Sequence, residues 1–230
     1  MPHAGKTGRW IAAAVAIFVK DWRSELRTRY ALSALAMFVV TTISIVLFSL
    51  GSEEAPPEVL SGMLWVVIFF SAMSGLSRTF VSEEERGTSM TLQLLAPPSA
   101  VYFGKLLFNL VLVAGLNAVT VLLYMVLMDG FVIRSTGVFT LTLILGTVGF
   151  AAAATIIAAI IARASTRGTL YPVLSFPILL PLLLTVINGT RLAAEGAVFA
   201  EATGEFQLLI SYIGVLVTVS TMVFDYVWKD

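Results

Sequence analysis

Residues 135–162, STGVFTLTLILGTVGFAAAATIIAAIIA, run for 28 positions without one charged side chain. A hydrocarbon core about 30 Å thick is crossed by roughly 20 apolar residues of helix. A charge at its centre costs about 2.5–3.5 kcal/mol even on insertion scales. Five further uncharged stretches, 30–52, 59–77, 106–128, 168–190 and 206–224, have the same character. A soluble domain has no reason to sort its charges into the gaps between such windows. The chain reads as an all-α membrane protein with six transmembrane helices at about 31–50, 59–77, 106–128, 137–162, 168–188 and 206–224. Residues 31–230 then form one six-helix domain, and 1–30 a tail with an interfacial helix.

The 230 residues are 58% hydrophobic and 12% charged, which leaves no room for a soluble domain beside six spans. With the N-terminus cytoplasmic, the inner segments hold Lys6, Arg9, Lys20, Arg23, Arg27, Arg29, Arg78, Arg86, Lys105, Arg163, Arg167 and Lys229, and only Arg134 and Arg191 fall outside. That bias predicts both termini inside. Multi-pass insertion in a bilayer follows, and at net charge zero no nucleic-acid partner is expected.

Catalysis has little to work with. There is no cysteine and one histidine, His3, so an ordinary transition-metal site or a nucleophile–base pair is not expected. No ionisable cluster lies within a span, which argues against proton pumping. Gly5-Lys6-Thr7 resembles the end of a phosphate-binding loop, but no strand and no glycine five residues earlier lead into it. The chain is expected to have no catalytic site, no firmly bound cofactor and no ATPase activity of its own.

Ile11, Val15, Phe18, Trp22 and Leu26 recur at steps of three and four, opposite Lys20, Arg23, Glu25, Arg27 and Arg29. This is the pattern of an amphipathic helix lying in the membrane interface. A signal peptide fits less well, because the apolar run 11–19 is followed by Lys20-Asp21-Trp22-Arg23 and not by a small-residue cleavage site.

Three span features bear on packing. Pro172, Pro177 and Pro181 interrupt the fifth span. Each removes a backbone donor, which makes that helix a candidate path or gating element and one expected to pack against protein. The fourth is rich in Gly and Ala, which permits close helix approach. Asn109 and Asn117 in the third are suited to interhelical hydrogen bonds. Beyond the fifth span, 188–206 suits a short surface or partly re-entrant helix.

The segment 78–105, RTFVSEEERGTSMTLQLLAPPSAVYFGK, carries the functional signal. Ser82 and Glu85 form a capping box, predicting a helix that starts at Ser82 with Glu83, Glu84 and Glu85 in its first turn. Gly87 bends the chain after Arg86, Thr88 follows, and Leu92, Leu94 and Leu95 give an apolar patch before Pro97-Pro98 ends the element. Lys105 is placed to snorkel at the membrane edge.

Glu84-Glu85-Arg86-Gly87-Thr88, Leu94-Leu95-Ala96-Pro97-Pro98 and Gly104-Lys105-Leu106 resemble the cytoplasmic loop of ABC-2-type exporter permeases. With FVKDWRSELRTRY near the start and the tail Phe224-Asp225-Tyr226-Val227-Trp228-Lys229-Asp230, the chain is more closely similar to the heme exporter protein B family of cytochrome c maturation. Ser89-Met90-Thr91 departs from that pattern in lacking an acid after the Gly-Thr pair. The resemblance implies an interfacial helix before six spans, in the bacterial cytoplasmic (inner) membrane. It also implies a separate ABC ATPase subunit docking on the loop (Ser82, Glu83, Glu84, Glu85, Arg86, Gly87, Thr88, Leu92, Leu95). A second permease copy or related membrane subunit, and other cytochrome c maturation components, would be further partners. Haem would be a transported or handled ligand. A generic ABC-2 permease for a drug, lipid or glycan, and a membrane scaffold without transport, are the alternatives.

Because the chain lacks cysteine, introduced cysteines report topology directly. Glu84→Cys should react with an impermeant maleimide only from the cytoplasmic side, and Glu201→Cys only from the opposite side. The reverse pattern would invert the assignment.

Overall fold

The computed structural model describes residues 3–28, 30–51, 55–76, 78–128, 130–162 and 167–229. The acidic turn at Ser52, Glu53 and Glu54, Asp129, and the inner loop 163–166 lie outside the described residues, as do the side chains of Ser82 and Pro172. The described residues form helices α1 (His3–Thr28), α2 (Tyr30–Leu50), α3 (Pro57–Leu76), α4 (Arg78–Glu85), α5 (Ser89–Leu95), α6 (Pro98–Leu127), α7 (Thr136–Ala162), α8 (Arg167–Glu195) and α9 (Thr203–Lys229).

Five of these are long and apolar enough to cross a membrane: α3, α6, α7, α8 and α9. In α2 the described apolar stretch, Leu35–Leu50, is shorter. The chain is a multi-pass helical membrane protein.

The most enclosed helix is α7, packed against α6, α8 and α9. Its small residues make this possible. A Cβ on Gly146 would lie 2.6 Å from the Trp65 ring, and one on Gly149 2.6 Å from Leu182. Dispersion between closely approached helices is the main attraction available in lipid. Polar side chains add register. Asn109 donates to Thr155 Oγ1 and Asn117 to Thr147 Oγ1, both at 2.8 Å, joining α6 to α7 as their sequence positions suggested. Trp65 Nε1 donates to Thr190 Oγ1 at 2.8 Å, joining α3 to α8.

Several expectations need correction. Pro97-Pro98 ends the leucine-bearing element as expected, since α5 stops at Leu95, but it also opens the next helix. Pro97 is the N-cap of α6 and Pro98 its first residue, where a missing N–H costs nothing. Helix α6 thus starts eight positions before the apolar window at 106 and carries Lys105 inside it. Helix α8 runs on to Glu195, so 188–195 belongs to it and not to a separate surface helix. A turn at Gly196, φ +89°, then leads through 197–202 into α9. Pro177 and Pro181 lie on an exposed face of α8, beside exposed Leu174 and Leu184, and not against neighbouring helices of this chain. The helix remains continuous through them, and Thr185 Oγ1 donates to Pro181 O at 2.8 Å.

The amphipathic α1 docks along α6, and its apolar stripe is divided: Phe18 and Trp22 pack partly against the core while the rest faces outward. Trp10 Nε1 donates to Ser99 Oγ at 2.9 Å and Trp10 stacks edge-on with Phe103. Ile17 is buried, whereas Ile11, Val15 and Leu26 stay exposed, free to enter lipid. The contact is tight at Gly104, where an added Cβ would sit 2.7 Å from Ala14 O. Gly104→Val should therefore separate α1 from α6 and destabilise the fold by about 1–3 kcal/mol. Thermal unfolding in detergent checks this; an unchanged melting temperature would show that the contact is not tight.

Candidate functional site

The chain is already helical at Arg78, so Ser82 lies within α4 and no helix starts at the capping box. Glu83, Glu84 and Glu85 therefore occupy its last turn, where the helix dipole disfavours negative charge. Compensation comes from outside the helix. Glu83 is buried and accepts from Lys20 of α1 and from Lys105 of α6, the latter at 2.8 Å.

Lys105 does not snorkel. It is 1% exposed, and its Nζ faces three oxygens: Thr79 O at 3.0 Å, Glu83 Oε1 at 2.8 Å and Asp21 Oδ2 at 2.9 Å. The ammonium donates hydrogen bonds to Thr79 O and Glu83 Oε1, while Asp21 faces it as an ion pair. The Phe80 ring, 5.5 Å from Nζ, covers one side. Lys20 also pairs with Asp21 at 3.3 Å. Burial alone would lower the Lys20 pKa, but the hydrogen bond to Glu83 and the charges of Asp21 and Glu83 outweigh it and hold it above its ordinary value. Its contribution is thus fully present at neutral pH and is lost only in strong alkali. Two cations and two carboxylates form a neutral cluster joining α1, α4 and α6.

The turn after α4 is built around this cluster. Gly87 adopts φ +65°, the left-handed conformation that glycine enters without steric cost. Gly87 N donates to Glu84 O and Thr88 N to Glu83 O, capping the helix end. The Thr88 hydroxyl then donates to the Glu83 carboxylate. The sequence Glu83-Glu84-Glu85-Arg86-Gly87-Thr88 thus encodes a helix stop whose first and last side chains meet.

Beyond it, α5 is seven residues long and has no buried residue. Met90, Leu94 and Leu95 are 70%, 82% and 78% exposed, while Leu92 packs partly against the core. Glu85 and Arg86 are exposed, with Arg86 donating to Ser24 Oγ of α1 at 3.2 Å. Gln93 Nε2 donates to Trp228 O at the end of α9. The rings of Phe80, Phe224 and Trp228 pack with centroids 5.6–5.9 Å apart, and Tyr102 lies 5.3 Å from Phe224. The elbow α4–α5 is therefore bonded to α1, α6 and α9 through side chains and packed against α7, and only its tip is bare.

The structure brings together Glu83 and Thr88 from the sequence-predicted set. It points Glu85, Arg86 and Leu95 outward and leaves Pro177 and Pro181 far along the chain on α8. Lys20, Asp21, Met90 and Leu94 were missed as site residues. Lys20-Asp21 carried a signal, since charges of opposite sign interrupt an apolar stripe there. A cavity of about 590 Å³ lies between α1, the elbow and α6; among the described residues its lining includes no histidine, cysteine, methionine or tyrosine.

Replacing Lys105 with Met leaves two carboxylates sharing one lysine and should cost about 3–5 kcal/mol. Adding Glu83→Gln should restore part of that loss. Thermal unfolding of the single and double variants decides: a Lys105→Met chain as stable as the parent would show that the cluster holds nothing together.

The family model described as CcmB protein matches residues 12–227. No curated protein matches the chain. The family match runs from within α1 through the elbow into the last turn of α9, so the residues of the ion-pair cluster, and Phe80, Tyr102 and Phe224 of the aromatic clasp, fall within it. The chain belongs to the CcmB, or heme exporter protein B, family, the membrane permease subunits of the haem-export ABC transporter in cytochrome c maturation.

Proposed function

We propose that this chain receives mechanical work from a separate ATP-hydrolysing subunit through α5 and passes it to the membrane helices through the Glu83–Lys105 cluster. The observation that carries this reading is the bare tip of a braced elbow. Three large apolar side chains stand in the open on a short helix, at a level where the basic residues argue for cytoplasm and not lipid. Exposed apolar side chains clustered on a polar surface mark a contact site. Glu85 and Arg86 supply a charged rim that sets partner choice more than affinity.

Closure of an ATPase pair would push or pull α5. The elbow cannot yield locally, because a buried, hydrogen-bonded ion cluster and an aromatic clasp tie it to three helices. Rigid-body tilting of α1, α6 and α9 is the motion left. Both termini and the elbow are cytoplasmic in this reading, α2 supplies the sixth span, and the membrane is the bacterial inner membrane. A second permease copy or a related subunit completes the transport unit.

The transported or handled ligand is haem, as the family implies. Among the described residues, the 590 Å³ cavity has no side chain of the usual iron-ligating kinds. That favours a machine that drives release of a haem-loaded carrier over one that coordinates haem along its path.

Leu94→Ser with Leu95→Ser changes only exposed side chains. The double variant should insert and fold normally, lose at least about tenfold in ATPase co-purification, and fail to restore covalent c-type haem in a deletion strain. Full ATPase retention would place the docking site elsewhere. Normal haem staining in the deletion strain itself would remove the maturation role and favour a generic exporter.

A further inference from the structure

The ion cluster continues inward as a run of side-chain hydrogen bonds. Lys105 Nζ donates to Thr79 O at 3.0 Å, and the Thr79 hydroxyl donates to Asn109 Oδ1 at 2.8 Å. Asn109 Nδ2 donates to Thr155 Oγ1 at 2.8 Å, and that hydroxyl donates to Ala151 O at 2.6 Å. Thr79, Asn109 and Thr155 are all buried. The run leads from α4 through α6 to α7, a helix against which the elbow packs but which supplies none of the four cluster charges. A second rung, Asn117 Nδ2 to Thr147 Oγ1, crosses the same α6–α7 interface eight positions away on both helices, about 12 Å along their axes. Thr147 then donates to Leu143 O, so this outer rung leads away from the cluster.

The two rungs respond differently to a tilt of α6. Thr147 lies between Gly146 and Gly149, where Trp65 of α3 and Leu182 of α8 come within 2.6 Å of a would-be Cβ, so α7 is clamped at the level of the outer rung. A tilt of α6 by about 5° about that level shifts the inner rung by about 1 Å, enough to break its hydrogen bond. The inner rung is also built to part without orphaning the groups around it. The Thr79 hydroxyl has one proton and two acceptors in reach, Asn109 Oδ1 and, at 3.0 Å, Leu76 O at the end of α3. Released from Asn109, Thr79 keeps Leu76 O and Thr155 keeps Ala151 O. Only the Asn109 amide loses its partners. Its neighbours Thr79 and Phe108 line the cavity of about 590 Å³, which is roomy enough for water to replace them.

We infer that the Thr79–Asn109–Thr155 run is a latch, which holds the elbow-bearing helices against α7 at rest and opens at each stroke. Asn109 is then a positioning residue that acts through the Lys105 cluster and touches no transported ligand. The inference rests on the lever reading above and adds what sets the resting position of the lever. Without the latch, the resting arrangement loses a bond that the displaced one lacks already, so the displaced arrangement is reached without nucleotide.

The test is electron–electron double resonance between spin labels at Leu26→Cys on α1 and Thr140→Cys on α7, both exposed, in the full chain assembled with its ATPase partner. The parent should show one distance without nucleotide and a second after trapping with ATP and vanadate. Thr155→Val, which removes only the bridging hydroxyl, and Asn109→Leu should each raise the share of the second distance without nucleotide at least about fivefold. Thr155→Ser keeps the hydroxyl and should behave as the parent; so should Thr147→Val, which breaks only the outer rung. After trapping, every variant should reach the parent's second distance, because the lever itself is intact. Thr155→Val hardly changes shape, so the outcome does not hang on whether Asn109→Leu packs properly. Inner-rung variants that stay at the resting distance would overturn the latch, as would an equal rise with Thr147→Val or a variant unable to reach the second distance. A parent that does not shift on trapping would remove lever and latch together, whereas a shifting parent with unresponsive variants removes the latch alone.

Discussion

A single ammonium group organises the functional end of this protein. The Lys105 Nζ is withdrawn from water and surrounded by Thr79 O, Glu83 and Asp21. Burying an ion is favourable only when its partners are close. Here that condition fixes three helices at once. Glu83 must stand in the last turn of α4, Asp21 must face α6 from α1, and Gly104 must be small enough for α1 to lie close. The same network stops α4 with a left-handed glycine and turns α5 out into the open. Lys20, also held by Glu83 and Asp21, balances the cluster to neutrality, so the bundle gains register there without a buried net charge.

Membrane character, helix class and the position of the elbow were legible in the sequence, because each rests on a local rule. Absence of charge over 19 or more residues identifies lipid-length helices. Gly-Ala enrichment in α7 identified the helix that others pack around. Asn109 and Asn117 are polar groups in apolar helices and had to find partners across an interface. Reading failed where two parts of the chain compete for one residue. Ser82 and Glu85 satisfy a capping-box pattern, yet Ser82 lies inside α4, whose acidic end sets Glu83 against lysines 63 and 22 positions away in sequence. No window around Ser82 contains that information.

Lys105 shows the same limit from the other side. A lysine eight residues into a helix, just before an apolar run, is ordinarily free to snorkel. Only the docking of α1 closes that route. The prolines of α8 were legible as helix interrupters but not as surface residues, since the side of a helix that meets a neighbour is set by the whole bundle. Leu94 and Leu95 could be seen as apolar from sequence; that they stay bare follows from Gln93 and Leu92 occupying the inward side of a helix only seven residues long.

Together these features make the elbow a lever and not a flexible loop: a short exposed tip, a braced shaft and attachments to α1, α6 and α9. The lever claim is open to a distance measurement on the chain assembled with its ATPase partner. Spin labels at Leu94 on α5 and Leu26 on α1, both exposed, with a third at Thr140 on α7, would be compared before and after nucleotide trapping. Rigid transmission requires the 94–26 distance to stay constant while both distances to 140 change. A shift in 94–26 with 26–140 unchanged would mean that α5 moves alone, and the ion cluster would not be the route by which work enters the membrane helices.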